Sequence, residues 1–109
     1  MTDTAPGGVR AAPLLAVLLV FFGALTLYAR TLLPDVGTWD TAEFQTVGTV
    51  LGIAHPTGYP SYTLLAWLAS VVLQPFGDPA LRANLLSAVL TAGGAALAAS
   101  SVILLTRRA

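Results

Sequence analysis

Two long apolar runs, at about residues 11–29 and 85–105, constrain this chain more than any other feature of its sequence. A helix needs roughly 20 apolar residues, at about 1.5 Å each, to cross the hydrocarbon core of a bilayer. Both runs reach that length without a charged residue, and a third, shorter run covers about residues 61–76. The sequence therefore predicts an all-α, multi-pass membrane segment that contacts the lipid bilayer.

Charge and cysteine content exclude several other classes of protein. Only 9% of the residues are charged, against roughly 25% in a typical soluble domain. The five arginines are scattered or terminal and form no basic stripe, so nucleic-acid binding is excluded. The absence of cysteine rules out disulfides, zinc–thiolate sites and thiol nucleophiles.

We expect residues 1–10 to be disordered and residues 11–109 to form an N-terminal transmembrane segment.

The loop of residues 30–60, between the first and second apolar runs, holds most of the polar chemistry. A helix is predicted there at about residues 40–54, because apolar residues recur at positions i, i+3, i+4 and i+7. Such a helix should lie in the plane of the membrane interface. Its apolar face is Phe44, Val47, Gly48 and Leu51, and another face is Thr41, Gln45 and Thr49.

We expect the chain to lie in the plasma (inner) membrane, and the arginines predict that this loop faces outside. Arg10 before the first helix and Arg82 in the turn after the second both fit the preference for basic residues on the cytoplasmic side. Arg30, Arg107 and Arg108 then fall outside and oppose that preference.

Asp40 and Glu43 have the i, i+3 spacing of a helix capping box, in which Asp40 is the N-cap and Glu43 reaches back to it. The alternative is a general base or a ligand pair, because residues at this spacing share one helix face. Both interpretations stay open at the level of sequence.

The only histidine, His55, stands before Pro56 at the expected end of the helix. It either bonds to backbone or water, or it is a metal ligand, although no HExxH spacing accompanies it. The nearby aromatic residues are either interfacial anchors or platforms for sugar stacking. They are Trp39, Tyr59 and Tyr62.

Three segments together resemble a known membrane family. They are the Asp-x-x-Glu segment of residues 40–43, GIAHPTGYP of residues 52–60, and PFGDPALRANLLSA of residues 75–88. The family includes a transmembrane protein O-mannosyltransferase and is similar to the wider C-type glycosyltransferases. Thr57 stands where the family pattern has a second proline, a departure that bears on substrate more than on family.

The resemblance implies a multi-pass enzyme that transfers a sugar, with mannose as the candidate, from a polyprenyl-phosphate-linked donor to an outward-facing acceptor. It implies Asp40 as catalytic base and Glu43 as its acidic partner, with Arg30 or Arg82 offsetting the donor phosphate. The substrate loop would be shaped by His55, Pro56, Gly58 and Tyr59. No cofactor is implied, and a divalent cation is left open. Further C-terminal helices of the same protein would complete the enzyme.

Two other functions compete with this one. Small residues spaced four apart in the third apolar run, at Ala92, Ala96 and Ser100, allow close helix approach in lipid. The chain is then a small non-enzymatic membrane subunit that packs against partner helices. A transporter fragment is the weaker third reading, since no charge lies within a predicted span.

Overall fold

The computed structural model describes residues 7–107, with side chains from residue 11 onward, and all of its regular structure is helical. The four helices are α1 (Gly7–Thr31), α2 (Asp40–Val50), α3 (Pro60–Val72) and α4 (Pro79–Thr106). They fall into two compact units. Unit 1 holds α1 up to Arg30 and α4 from Val89, and unit 2 is the segment Thr31–Ala88. The predicted all-α fold is confirmed.

Two of the helices are long and apolar enough to cross a membrane. They are the Ala11–Thr31 part of α1, with 21 residues, and all 28 residues of α4. Helix α1 begins at Gly7, earlier than the predicted helix at about residue 11, while residues 1–6 of the predicted disordered segment lie outside the described residues. In unit 1, Ala92 and Ala96 of the predicted small-residue face are buried.

Helix α4 begins at Pro79, six residues before the predicted start at about residue 85. Asp78 explains the earlier start, because its Oδ1 accepts a hydrogen bond of 2.9 Å from the backbone N–H of Leu81. This is the bond of an N-cap aspartate, and proline suits the first helical position that follows it. The segment predicted as a turn therefore contains a helix start.

The other two helices are shorter than predicted. Helix α2 ends at Val50 instead of residue 54, because Leu51 adopts the left-handed region at φ 51° and the N–H of Gly52 returns to the carbonyl of Val47. Helix α3 ends at Val72 instead of residue 76, close to Pro75, which disfavours helical backbone at the residue before it. Its 13 residues span about 20 Å, short of the ~30 Å hydrocarbon core, so the predicted span over residues 61–76 is corrected to a short apolar helix.

Within unit 2, α2 packs against α3 through small residues. Gly48 and Ala66 meet at this contact, and both are buried. An added Cβ at Gly48 would clash with the Cβ of Ala66 and lie 2.9 Å from its carbonyl carbon. The absence of a side chain at Gly48 thus sets how closely the two helices approach.

Gln45 is buried in unit 2, although its spacing predicted a place on the polar face of α2. Its Oε1 accepts a bond of 2.8 Å from the N–H of Gly37, and its Nε2 donates to Oδ1 of Asn84 over 3.0 Å. Asn84 in turn donates to the carbonyl of Leu33 over 2.9 Å. These amides join the loop before α2 to the start of α4, and they satisfy polar groups that would be costly to bury alone.

Candidate functional site

The predicted capping box at Asp40 and Glu43 is wrong. Asp40 is the first helical residue of α2, and the N-cap is Trp39, which makes no side-chain capping bond and has φ 56°. Glu43 does not reach back to the N-cap, because its carboxylate bonds to His55 instead. The carboxylate of Asp40 is exposed and makes no hydrogen bond within the part of the chain that the structure describes.

Glu43 holds His55 at two points. Its Oε1 accepts the backbone N–H of His55 over 2.7 Å, and its Oε2 lies 2.7 Å from the ring Nδ1. The side chain of Glu43 is 34% exposed and that of His55 is 39% exposed, so water reaches both. Glu43, predicted as the acidic partner of Asp40, therefore fixes the segment that begins at His55.

The contact between Glu43 and His55 shifts both proton affinities. The hydrogen bonds from His55 lower the pKa of Glu43 below its ordinary value of 4.5. The bond to Glu43 raises the pKa of His55 above its ordinary value of 6.5, and the charge of Asp40 acts in the same direction. Opposite charges at this distance favour both ionised forms.

We expect the His55 ring to titrate above pH 6.5 in NMR spectra and its midpoint to fall toward 6.5 in Glu43→Gln. The stability contribution of His55 is complete below pH 6.5 and is lost as pH rises through its folded pKa. That of Glu43 is complete above pH 4.5 and is lost as pH falls through its own folded value. The pair thus stabilises the loop most between about pH 4.5 and 6.5. An unchanged midpoint in Glu43→Gln would contradict this assignment.

Phe44 lies at the centre of an aromatic cluster beside this pair. Its ring makes edge contacts with His55, Tyr59 and Tyr62 at centroid distances of 5.6, 5.0 and 5.2 Å. The hydroxyl of Tyr62 donates to the carbonyl of Phe44 over 3.0 Å. These contacts attach the segment between α2 and α3 to α2, and they join α2 to the first turn of α3.

Gly58 allows this segment to turn toward α3. Its φ is 84°, a conformation that disfavours any residue with a Cβ, and its N–H donates to the carbonyl of His55 over 2.9 Å. Tyr59 follows with φ 45°, in the left-handed region, which is unfavourable for a residue with a Cβ. A turn therefore precedes α3, and Pro60 is the first residue of that helix.

A cleft of about 430 Å³ opens beside Asp40. This volume lies within the range of about 300–1,000 Å³ that is typical of small-molecule sites. A carboxylate, hydroxyls, amides and aromatic rings share its wall. The amides of Gln45 and Asn84 already bond to each other, so the carboxylate and hydroxyls are the groups that suit a polar ligand, and the rings suit a flat one. The lining residues are Asp40, Thr41, Phe44, Gln45, Tyr59, Tyr62, Asn84 and Ser87.

Some predicted site residues meet at this cleft and others do not. Asp40 and Tyr59 line it, whereas His55 adjoins it through its ring contact with Tyr59, at a centroid distance of 5.6 Å. Pro56 is exposed outside the lining, and Gly58 lines a separate apolar groove. Sequence reasoning missed the contributions of Asn84 and Ser87, although the R-x-N-L-x-S-A segment contains both.

The two candidate phosphate-binding arginines have different surroundings. Arg82 donates to the carbonyls of Ser70, Gln74 and Gly77, at distances between 2.7 and 3.2 Å, so its guanidinium caps the end of α3. These bonds give Arg82 a structural role, and its predicted contact with a donor phosphate stays a prediction. Arg30 lies in the last turn of α1, in unit 1, and its role stays a prediction.

Asp40, Glu43 and His55 each offer one possible metal-ligand atom, and the three atoms lie within 4.8 Å of one another. Two of these residues, however, already bond to each other through Oε2 and Nδ1. These two ligand atoms are therefore engaged with each other in the structure, and the question of a divalent cation at the cluster stays open.

Most of this chain is similar to known proteins of one family. Residues 40–109 match the family model described as "Protein O-mannosyl-transferase TMEM260 N-terminal domain". The mouse Protein O-mannosyl-transferase TMEM260 is 41% identical over 78 residues, which are 72% of this chain and 11% of the relative. Its Dictyostelium discoideum counterpart is 33% identical over 57 residues, or 52% of this chain and 7% of the relative. The chain thus spans about a tenth or less of these relatives, and no solved structure matches it significantly.

Proposed function

Because the chain belongs to the protein O-mannosyl-transferase TMEM260 N-terminal domain family, we propose that it is part of an integral membrane glycosyltransferase. The enzyme transfers a sugar, which we propose is mannose, from a polyprenyl-phosphate carrier to a hydroxyl of an outward-facing acceptor. The names of the two relatives favour a protein as the acceptor. Further helices of the same protein complete the bundle, and α1 and α4 anchor it in the plasma membrane.

The observation that carries this proposal is the state of Asp40. Its carboxylate is exposed at a cleft of about 430 Å³ and makes no hydrogen bond within the described residues. A general base must reach the proton that it removes, and a carboxylate engaged in a cap would be less free to do so. Asp40 therefore acts as the base that accepts the acceptor's hydroxyl proton while the hydroxyl oxygen attacks C1 of the sugar.

The cleft supports binding of the sugar next to Asp40. Thr41 and Ser87 bring hydroxyl groups to its wall, and Tyr59 brings an aromatic ring that is 41% exposed. Rings and hydroxyls of this kind suit a hexose, which has an apolar face and a polar rim. Glu43 and His55 adjoin the same position and keep the substrate loop in place.

We expect the complete protein that carries this segment, in lipid nanodiscs, to transfer labelled mannose from polyprenyl phosphate mannose to a serine- and threonine-containing peptide. Release of polyprenyl phosphate should match the label transferred, because C1 exchanges its phosphate oxygen for the acceptor oxygen. Empty nanodiscs are the control. A protein that retains a stable membrane partner but transfers no sugar would instead support the non-enzymatic subunit.

A further inference from the structure

The ring of His55 is held in one orientation by contacts on several sides. Glu43 bonds to both its backbone N–H and its Nδ1 over 2.7 Å, and Phe44 and Tyr59 contact the ring edge-on. An ionised carboxylate only accepts hydrogen bonds, so Nδ1 must carry the hydrogen in this contact. In the neutral ring the lone pair is then on Nε2, which becomes the basic atom.

His55 also lies close to the one carboxylate that is free at the cleft. An oxygen of Asp40 lies within 4.8 Å of one of the two ring nitrogens of His55, so water molecules can connect the carboxylate with the ring. The titratable groups around the ring are Asp40 and Glu43 from α2 and Tyr59 from the segment before α3. An imidazole is a stronger base than an ordinary carboxylate, so a proton on a carboxylate beside it moves readily to the ring.

We propose that His55 is the proton relay of the sugar-transfer reaction, and that Glu43 is the positioning residue that presents its Nε2. This inference rests on the proposed function. The acceptor's O–H bond breaks as its oxygen bonds to C1, and the C1–O bond to phosphate breaks with its electron pair going to the phosphate. The proton passes to Asp40, then to Nε2 of His55, and finally to water, so Asp40 is ionised again for the next turnover.

The proposed relay gives the two acidic residues of the motif, Asp40 and Glu43, different roles. Asp40 has no hydrogen bond within the described residues and faces the cleft, whereas Glu43 uses both oxygens on His55. A carboxylate that fixes the tautomer of a histidine is the same device that orients the base in a Ser-His-Asp triad. Here the oriented imidazole serves a carboxylate base instead of a serine.

The test is the pH dependence of kcat for mannose transfer by the complete protein in nanodiscs. In the wild-type protein, kcat should fall on the acidic side with a midpoint above pH 6.5, because the relay needs a neutral ring. His55→Gln should lower kcat by about 10²-fold, the lower end of general acid–base effects, and should remove that midpoint. The KM for the donor should change little.

Glu43→Gln separates positioning from simple support of the loop. The glutamine oxygen can still accept the backbone N–H of His55, but its amide donates to Nδ1 and moves the ring hydrogen to Nε2. We expect a loss similar to that of His55→Gln. Glu43→Asp keeps a carboxylate and should recover part of the activity. Asp35→Asn is the matched control, since it removes a carboxylate of the same unit whose one hydrogen bond among residues 7–107 is to the adjacent Val36 N–H.

Several outcomes overturn the relay. An unchanged pH profile in His55→Gln with kcat within about twofold of the wild type would exclude His55, and full activity in Glu43→Gln would exclude the tautomer argument. Activity that is abolished by EDTA and restored by Mn²⁺ would convert the cluster into a metal site. Failure of the wild-type protein to transfer mannose at all would overturn the proposed function together with the relay, whereas the variant results alone leave that function intact.

Discussion

Replacement of Asp40 by asparagine is expected to lower kcat for sugar transfer by about 10²–10⁴-fold, the range that a positioned general base contributes. Asparagine has nearly the same shape as aspartate but cannot accept the proton of the acceptor hydroxyl. The KM for the donor should change little, because the variant removes an interaction that matters in the transition state. Initial rates of mannose transfer in nanodiscs, at several donor concentrations, measure both quantities.

The variant is also expected to fold normally. The Asp40 carboxylate is exposed and makes no hydrogen bond among the described residues, so its loss leaves no buried group without a partner. Asp35→Asn, in the same unit, makes the same chemical change away from the cleft and should retain wild-type rates. Undiminished turnover in Asp40→Asn would remove Asp40 from the mechanism, and equal losses in both variants would point to a general charge effect.

Replacement of Gly48 by alanine is expected to have the largest effect on stability. The new methyl group would clash with the Cβ of Ala66 and approach its carbonyl carbon to 2.9 Å, so α2 and α3 must move apart. Overpacking of this kind costs about 1–3 kcal/mol. The better helix propensity of alanine offsets at most about 1 kcal/mol. Thermal unfolding of the 109-residue chain in detergent micelles, followed by near-UV circular dichroism, should show a lower Tm.

Two further variants identify the cause of this loss. Gly23→Ala makes the same substitution in α1, where an added Cβ meets no atom within 4 Å, and it should not lower the Tm. Ala66→Gly in the Gly48→Ala background removes one of the two clashing methyl groups and should recover part of the stability. Substitutions at residues in contact do not have additive effects on stability. A double variant whose loss of stability equals the sum of the losses in the two single variants would therefore refute this contact.

Together, these variants connect the packing of unit 2 to its chemistry. Gly48 sets how closely α2 approaches α3, and the same two helices bring Phe44 and Tyr62 to one wall of the cleft. The amides of Gln45 and Asn84 join the loop before Asp40 to α4. A displacement of α2 would therefore move Asp40 relative to the cleft. Variants at Gly48 should for this reason also be assayed for sugar transfer.

Several features of the fold followed directly from local sequence. Length and hydropathy identified the two candidate membrane-spanning helices, in α1 and α4, because each contains an uncharged apolar run of about 20 residues. The helix ends were less predictable. The start of α4 depends on one bond from Asp78 to the N–H of Leu81, and the end of α2 depends on a left-handed residue at Leu51. Apolar periodicity does not report such bonds.

Sequence by itself determined the helical class, the two candidate membrane spans and the family, and it drew attention to Asp40, Glu43 and His55. Only the tertiary structure decided which acid is free. The spacing of Asp40 and Glu43 fits a capping box equally well, but Glu43 meets His55, 12 positions away, and Gln45 meets Asn84, 39 positions away. A side chain bonds to whatever the folded backbone brings within about 3 Å, and this proximity arises from the packing of α2 against its neighbours.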